Sequence, residues 1–308
     1  MNMERKALNS NGASITMFSG KGGVGKTTCA AATAIHYASS GERTLAISTD
    51  ATPSLSHIYE VPGDEKPKRV NDSLFVNEIG AEEVEQMWDR KFGREVYDVF
   101  SSFVDLSYEE FVGFTTSILP GLSEEFMVDY IRELGLNGDY SNIIWDTAPL
   151  GQTLALLHTP AMLLEHLRMA PRIYARLKLG NISREPILKI IDRWRELSAG
   201  EMDFLRNRVK FIMVTIPEAL AVEQLDGVFI ELDRYGLKVS QLIVNNVIKE
   251  DGSYFLKARA EQQKKYLDII SDRCSDIRII ELPMFPYELK GWDRLKEVEK
   301  LLFPEKPD

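Results

Sequence analysis

The chain has 308 residues, 44% apolar and 27% charged, which is ordinary for a globular protein and long enough for one large core. Its 37 basic and 47 acidic residues leave a net charge of −10, and that balance argues against broad nucleic-acid binding, which leaves a basic footprint. The two cysteines, Cys29 and Cys274, form no C-x-x-C pair, so neither a disulfide framework nor a cysteine-rich zinc site is expected within one chain, and a reducing compartment is the simplest inference. The opening residues, MNMERKALNSNG, lack the apolar centre of a secretory signal. The most apolar helical stretch, 154–169, is interrupted by His158, Pro160, Glu165 and His166, so no segment reaches the roughly 20 apolar residues of a membrane span. These features predict a soluble, cytoplasmic chain without stable membrane insertion.

In chain order, 13–19 (ASITMFS) reads as a short buried strand, followed by a glycine-rich loop and an Ala-rich helix over 26–39 that Gly41 caps. A second strand follows at 43–48 (RTLAIS). This β-loop-α-β unit favours a parallel sheet. Further apolar, β-rich runs occur at 74–79, 142–145, 209–215, 241–244 and 277–282, mostly separated by helical patterns. The alternation predicts a doubly wound α/β fold with a mostly parallel sheet, as one domain over 1–308. Two helical stretches, 81–136 and 154–208, are rich in Met, Phe and Leu and do not fit a minimal sheet unit. They read as a helical subdomain inserted on one side of the sheet, with 179–207 as its candidate mobile element. Most of their apolar residues are expected to pack against one another. The tail, FPEKPD, reads as frayed.

The strongest chemical signal is Gly20-Lys21-Gly22-Gly23-Val24-Gly25-Lys26-Thr27-Thr28. It matches the phosphate-binding pattern G-x-x-x-x-G-K-[ST] between a strand and a helix, the context that pattern requires. The glycines let backbone N–H groups wrap phosphate oxygens at a helix N-terminus. Lys26 would neutralise the β- and γ-phosphates, and Thr27 would ligate Mg²⁺. Together these residues predict an ATP site.

Two further segments end strands in a carboxylate. Asp50 follows Ser48-Thr49, and there it could orient and activate the attacking water. Asp146 ends the apolar run 142–145 and opens DTAPLG, where it would hold Mg²⁺ directly or through water. Gly151 gives that second loop freedom to respond to a γ-phosphate.

A lysine at the second loop position, Lys21, marks the deviant Walker A ATPases. SGKGGVGKTT, STDATPSLS, DTAPLGQTLALL, IVNN and LPMFPYELKGWDRL together resemble the arsenite-pump ATPase family, which includes the ATPases that deliver tail-anchored membrane proteins. The resemblance spans 19–295 in the family's order. It implies a P-loop fold, ATP and Mg²⁺ as cofactors, and a homodimer in which Lys21 reaches the partner's nucleotide. By position it makes Asp50 the catalytic carboxylate of the first switch, and Asp146 and Gly151 parts of the second. Asn245 would bond the adenine edge, which suits an amide that both donates and accepts. Glu218 falls at a nucleotide-contact position, and 283–288, including Pro283 and Pro286, would cover the base.

The chain also departs from that pattern. The first switch usually reads D-P-A-H, whereas here it is Asp50-Ala51-Thr52-Pro53, with His57 nearby but out of register. Ser253 and Leu256 stand where targeting members carry the C-x-x-C that binds zinc across the dimer, so no zinc clasp is expected. The leading expectation is an ATP-driven dimer that takes a hydrophobic transmembrane helix into a groove drawn from 111–127 and 161–213 and delivers it to a membrane receptor. The alternatives are the ATPase subunit of an arsenite or antimonite pump, which needs more thiols than these two, and a positioning or partition ATPase. The latter needs a basic amphipathic tail or DNA face, which WDRLKEVEKLLFPEKPD does not supply. A cluster-carrying reductase of the nitrogenase iron-protein type would need two well-placed cysteines.

Overall fold

The β-rich runs fold as β1 (Ser14–Gly20), β2 (Thr44–Ser48), β4 (Leu74–Glu78), β5 (Asn142–Asp146), β6 (Val209–Thr215), β7 (Val239–Val247) and β8 (Arg278–Pro283). All seven run parallel, in the order β4-β2-β5-β1-β6-β7-β8. The computed structural model describes residues 12–50, 54–62, 66–100, 107–111, 122–176, 185–249 and 252–304. The altered part of the expected first switch, 51–53, lies outside them, as do 112–121 and 177–184 of the expected groove segments and the end of the tail.

Two features of the sheet carry no apolar signature. The two-residue strand β3 (Lys68–Arg69) pairs antiparallel with β4 at the sheet edge, on a turn in which Asn71 Oδ1 accepts from the Ser73 and Leu74 amides at 2.9 and 2.8 Å. Strand β7 runs past its apolar stretch because Val247 rejoins Pro283 of β8 beyond an irregularity, where Asn246 takes the left-handed conformation at φ 58°. Asparagine tolerates that region better than most residues.

Helix α1 (Lys26–Ser39) buries Cys29, Ala30, Ala31, Ala32 and Ala34 completely. These short side chains let it lie close on the sheet, in one core with Phe18, Ala46, Ile144, Ile243 and Leu295. The alternate strand residues Met17, Ile47, Ile143 and Trp145 point to the other face and are also fully buried. Both faces are therefore covered, as a doubly wound α/β fold requires.

The chain forms two compact units. The first comprises Met1–Ile79, Leu134–Thr153 and Arg208–Asp308, and the second Gly80–Glu133 and Leu154–Asn207. Besides the sheet and α1, the first holds α2 (Leu55–Tyr59), α8 (Ala219–Arg234), α9 (Tyr254–Arg273) and α10 (Gly291–Leu302). The second holds α3 (Ala81–Trp88), a π-helical turn at Asp89–Gly93, α4 (Arg94–Phe100), α7 (Glu185–Arg208, less its last residue), and most of α5 (Leu122–Leu136) and α6 (Leu150–Arg176). Its core includes Trp88, Phe126, Val128, Ile131, Leu157 and Leu205. Asp129, fully buried there, meets the ammonium of Lys91 and, at 3.5 Å, the guanidinium of Arg132. Lys91 also reaches Glu133 at 2.6 Å.

Candidate functional site

Strand β1 ends in Gly20, where a Cβ would lie 2.2 Å from the Val214 carbonyl of neighbouring β6, so only glycine fits. Gly25 closes the loop at φ 96°, and a Cβ there would lie 2.3 Å from Asn245 Nδ2. Between them the loop turns into α1, whose first turn carries no acidic side chain to compete for an anion. Gly22 and Gly23 are exposed, Lys21 is half-buried, and Thr28 stands in the first turn of α1. Lys26 is buried, and its Nζ donates to the Lys21 carbonyl at 3.1 Å. Burial pulls its ammonium below the ordinary lysine range, against the opposing pull of Asp146 and Asp50.

The strand order places two distant segments beside this loop. In register, Asp146 of β5 stands opposite Phe18 of β1 on one side and Ser48 of β2 on the other. Thr27 Oγ1 donates to Asp146 Oδ2 at 2.7 Å across 119 residues of sequence. Asp146 is 1% exposed, and its Oδ1 has no hydrogen-bond partner among the described residues. Burial raises its carboxyl to about 7, and the charges of Asp50 and Glu78 add to the rise, while Thr27 and Lys26 hold it down. A hydroxyl and a carboxylate with one unsatisfied buried oxygen form a donor set suited to a hard divalent cation.

The two segments that carry Asp50 and Asp146 are joined at their roots. The Thr49 amide donates to the Asp146 carbonyl at 3.1 Å, and Trp145 Nε1 donates to Thr49 Oγ1 at 3.1 Å. The Asp50 amide donates to Ser48 Oγ at 3.2 Å. After Asp146, Thr147 Oγ1 donates to the Phe18 carbonyl at 2.7 Å and lies 2.8 Å from Thr153 Oγ1. Gly151 stands in the first turn of α6 with open space around it, so the helix, not a free loop, carries it.

The residues assigned to the base side fall at the ends of the next strands. Asn245 is buried at the end of β7 and donates from Nδ2 to the Val24 carbonyl at 2.9 Å, tying that strand to the phosphate loop. Glu218 opens α8 after β6 and pairs with Arg259 of α9 at 2.9 Å. Pro283 ends β8, Pro286 is exposed in the loop beyond, and the Met284 amide donates to Val247 at 2.9 Å. His57 is exposed on α2. Both thiols are buried, and burial pushes Cys29 up to about 12.

Sequence reasoning overlooked Glu78, which ends β4 and accepts from the Ser56 amide at 3.2 Å and from the Ser56 hydroxyl. The signal was present, since an apolar strand ending in a carboxylate is also what marked Asp146. The bonds of Trp145, Thr49, Thr147 and Thr153 left no such trace, because they depend on which strands become neighbours.

The sequence model of a family described as Anion-transporting ATPase matches residues 13–304. The chain is 31% identical over 299 residues to a protein of Aquifex aeolicus that carries the name arsenical pump-driving ATPase 2, covering 94% of this chain and 98% of that one. It is 30% identical to ATPase GET3A of Arabidopsis thaliana, covering 94% and 83%, and 28% identical to ATPase ASNA1 homolog 1 of Paramecium tetraurelia, covering 93% and 91%. With the loop, the two strand-end carboxylates and the parallel sheet in place, the chain belongs to the anion-transporting ATPase family and is an ATPase.

Proposed function

We propose that this ATPase works as a Mg²⁺-dependent homodimer that holds a hydrophobic transmembrane helix of a tail-anchored protein and delivers it to a membrane receptor. The Thr27–Asp146 pair, one strand from Asp50, is the observation that carries the hydrolytic half of this reading. Loop amides and Lys26 bind the triphosphate, while Thr27 and Asp146 hold Mg²⁺, which neutralises charge on the β- and γ-phosphates when bound. Asp50 orients the attacking water. Lys21 supplies positive charge to the partner's transferring phosphoryl group, which makes turnover depend on pairing. Asn245, Glu218, Pro283 and Pro286 line the base side.

The targeting half rests on the resemblance of the motifs to the tail-anchored targeting ATPases and on the Met- and Phe-rich helical unit. Phe111, Phe126, Met127, Leu167, Ile191 and Met202 pack that unit's own core. Residues 209–213 of the expected groove lie in the buried strand β6, so a client surface would draw on the other apolar side chains of 111–127 and 161–207. The test is co-purification from native cytosol with Asp50→Asn, which slows hydrolysis and traps the closed dimer. Recovery of single-span membrane proteins is the expected result. A purified ATP-bound dimer with intact turnover and no affinity for an apolar helix overturns the reading.

The second reading is a metalloid-pump ATPase, favoured by the name of the Aquifex relative. The burial of Cys29 and Cys274 speaks against it, because thiolates must be reachable to grip metalloid. Stimulation of hydrolysis by arsenite or antimonite would support it.

A further inference from the structure

We infer that Glu78 is a positioning residue for ATP hydrolysis, holding the outgoing side of the first switch against the sheet so that Asp50 is fixed from both ends. Glu78 of β4, Ser48 of β2 and Asp146 of β5 are register partners across three neighbouring parallel strands. Partners at one level of a parallel sheet project to the same face. They form a polar row at the end of the sheet where the phosphate loop lies. Asp146 reaches Thr27 at the start of α1, and Glu78 reaches Ser56 in the first turn of α2.

The Ser56 amide is one of the donors a helix start leaves without an intrahelical acceptor. Ser54, the residue before α2, makes no side-chain cap. Glu78 supplies the missing acceptor from another strand, through Oε1 to the amide and Oε2 to the hydroxyl. Ser54 itself comes back to the site, with its Oγ 3.5 Å from Thr27 Oγ1. On the incoming side, Asp50 is tied to Ser48, and Thr49 to Asp146 and Trp145. Asp50 and Ser54 are four residues apart, so at most about 14 Å of chain joins the two anchored ends. Releasing the outgoing anchor frees Asp50 to shift relative to the Thr27–Asp146 pair.

The inference rests on Asp50 as the hydrolytic carboxylate, and the experiment separates the two. Steady-state kinetics, binding of a fluorescent ATP analogue and Tm are measured for Glu78→Ala, Glu78→Gln, Ser56→Ala and Asp50→Asn. Glu78→Ala is expected to lower kcat about 10- to 100-fold with KM for ATP within about twofold, since an ångström of misplacement at a reacting group costs on that order. Glu78→Gln keeps an acceptor for the Ser56 amide and is expected to recover part of the loss. Ser56→Ala, which loses only the hydroxyl bond, should lose about three- to tenfold. A purely structural Glu78 would lower Tm and the active fraction while leaving kcat per bound nucleotide unchanged. That result, or a loss confined to KM, overturns the inference. If Asp50→Asn abolishes turnover and Glu78→Ala does not, this inference alone fails. If Asp50→Asn turns over normally, the reading of Asp50 fails with it.

Discussion

In the sheet unit, Asp146 is buried with one oxygen unpartnered among the described residues and its carboxyl raised to about 7. In the helical unit, Asp129 is buried just as deeply but meets both Lys91 and Arg132. The difference separates two uses of buried charge. A compensated charge specifies packing and resists change, whereas an under-compensated one costs stability and stands ready for a ligand. Lys26 follows the first pattern only in part, because burial outweighs the pull of its two carboxylates.

The largest expected effect tests whether the sheet unit's charges serve a triphosphate. Lys21→Ala should lower kcat by roughly 10²–10³-fold, with ATP-analogue binding changed far less. Unchanged turnover and unchanged pairing by analytical ultracentrifugation would remove the partner-site role of Lys21. Next, Asp129→Ala should cost about 1.5–3 kcal/mol, by removing one carboxylate from half-buried Lys91, which keeps Glu133, and from half-buried Arg132. Hydrogen exchange is expected to show the loss in α5 and α7 first, with turnover per folded molecule preserved. Equal loss of exchange protection in the sheet strands would break the contrast between the two units.

Asp146→Asn should do the reverse. The folded state holds the Asp146 proton up to about 7 against an ordinary 3.8, so it binds that proton more tightly than the unfolded chain. Wild-type stability therefore falls as pH rises from 3.8 to 7, and the neutral variant escapes that fall. In metal- and nucleotide-free buffer it should be more stable by about 2–4 kcal/mol above pH 7, the gain fading as pH drops. Denaturant titrations across that range check the sign, and hydrolysis should be lost throughout. A destabilised variant at pH 8 would mean that Asp146 is better compensated than its geometry indicates. Asn245→Ala is smaller, with KM for ATP expected to rise about three- to tenfold as a hydrogen bond is lost. Arsenite should change turnover least, because both thiols are buried.

The strands that build the sheet were legible as apolar runs because each is a continuous, β-rich segment. The small edge strand Lys68–Arg69 was not, since two charged residues held by an asparagine turn leave no periodic trace. Within the site, Lys26, Thr27 and the glycines could be read directly, whereas the Trp145–Thr49 and Thr147–Thr153 bonds could not. Glu78 lies between these cases, with its position at a strand end visible and its partner hidden.

What the sequence determined alone is what short chain geometry determines. A strand, a tight glycine turn and a helix start within twenty residues bring a lysine and a run of backbone amides to one helix N-terminus. Only the tertiary structure decided which carboxylates join them. The order β4-β2-β5-β1 is not the order of the chain, and it brings Thr27 to Asp146 across 119 residues while setting Glu78 one strand beyond Ser48. Strand adjacency comes from burying both faces of one sheet under helices, a property of the whole core that no local segment encodes.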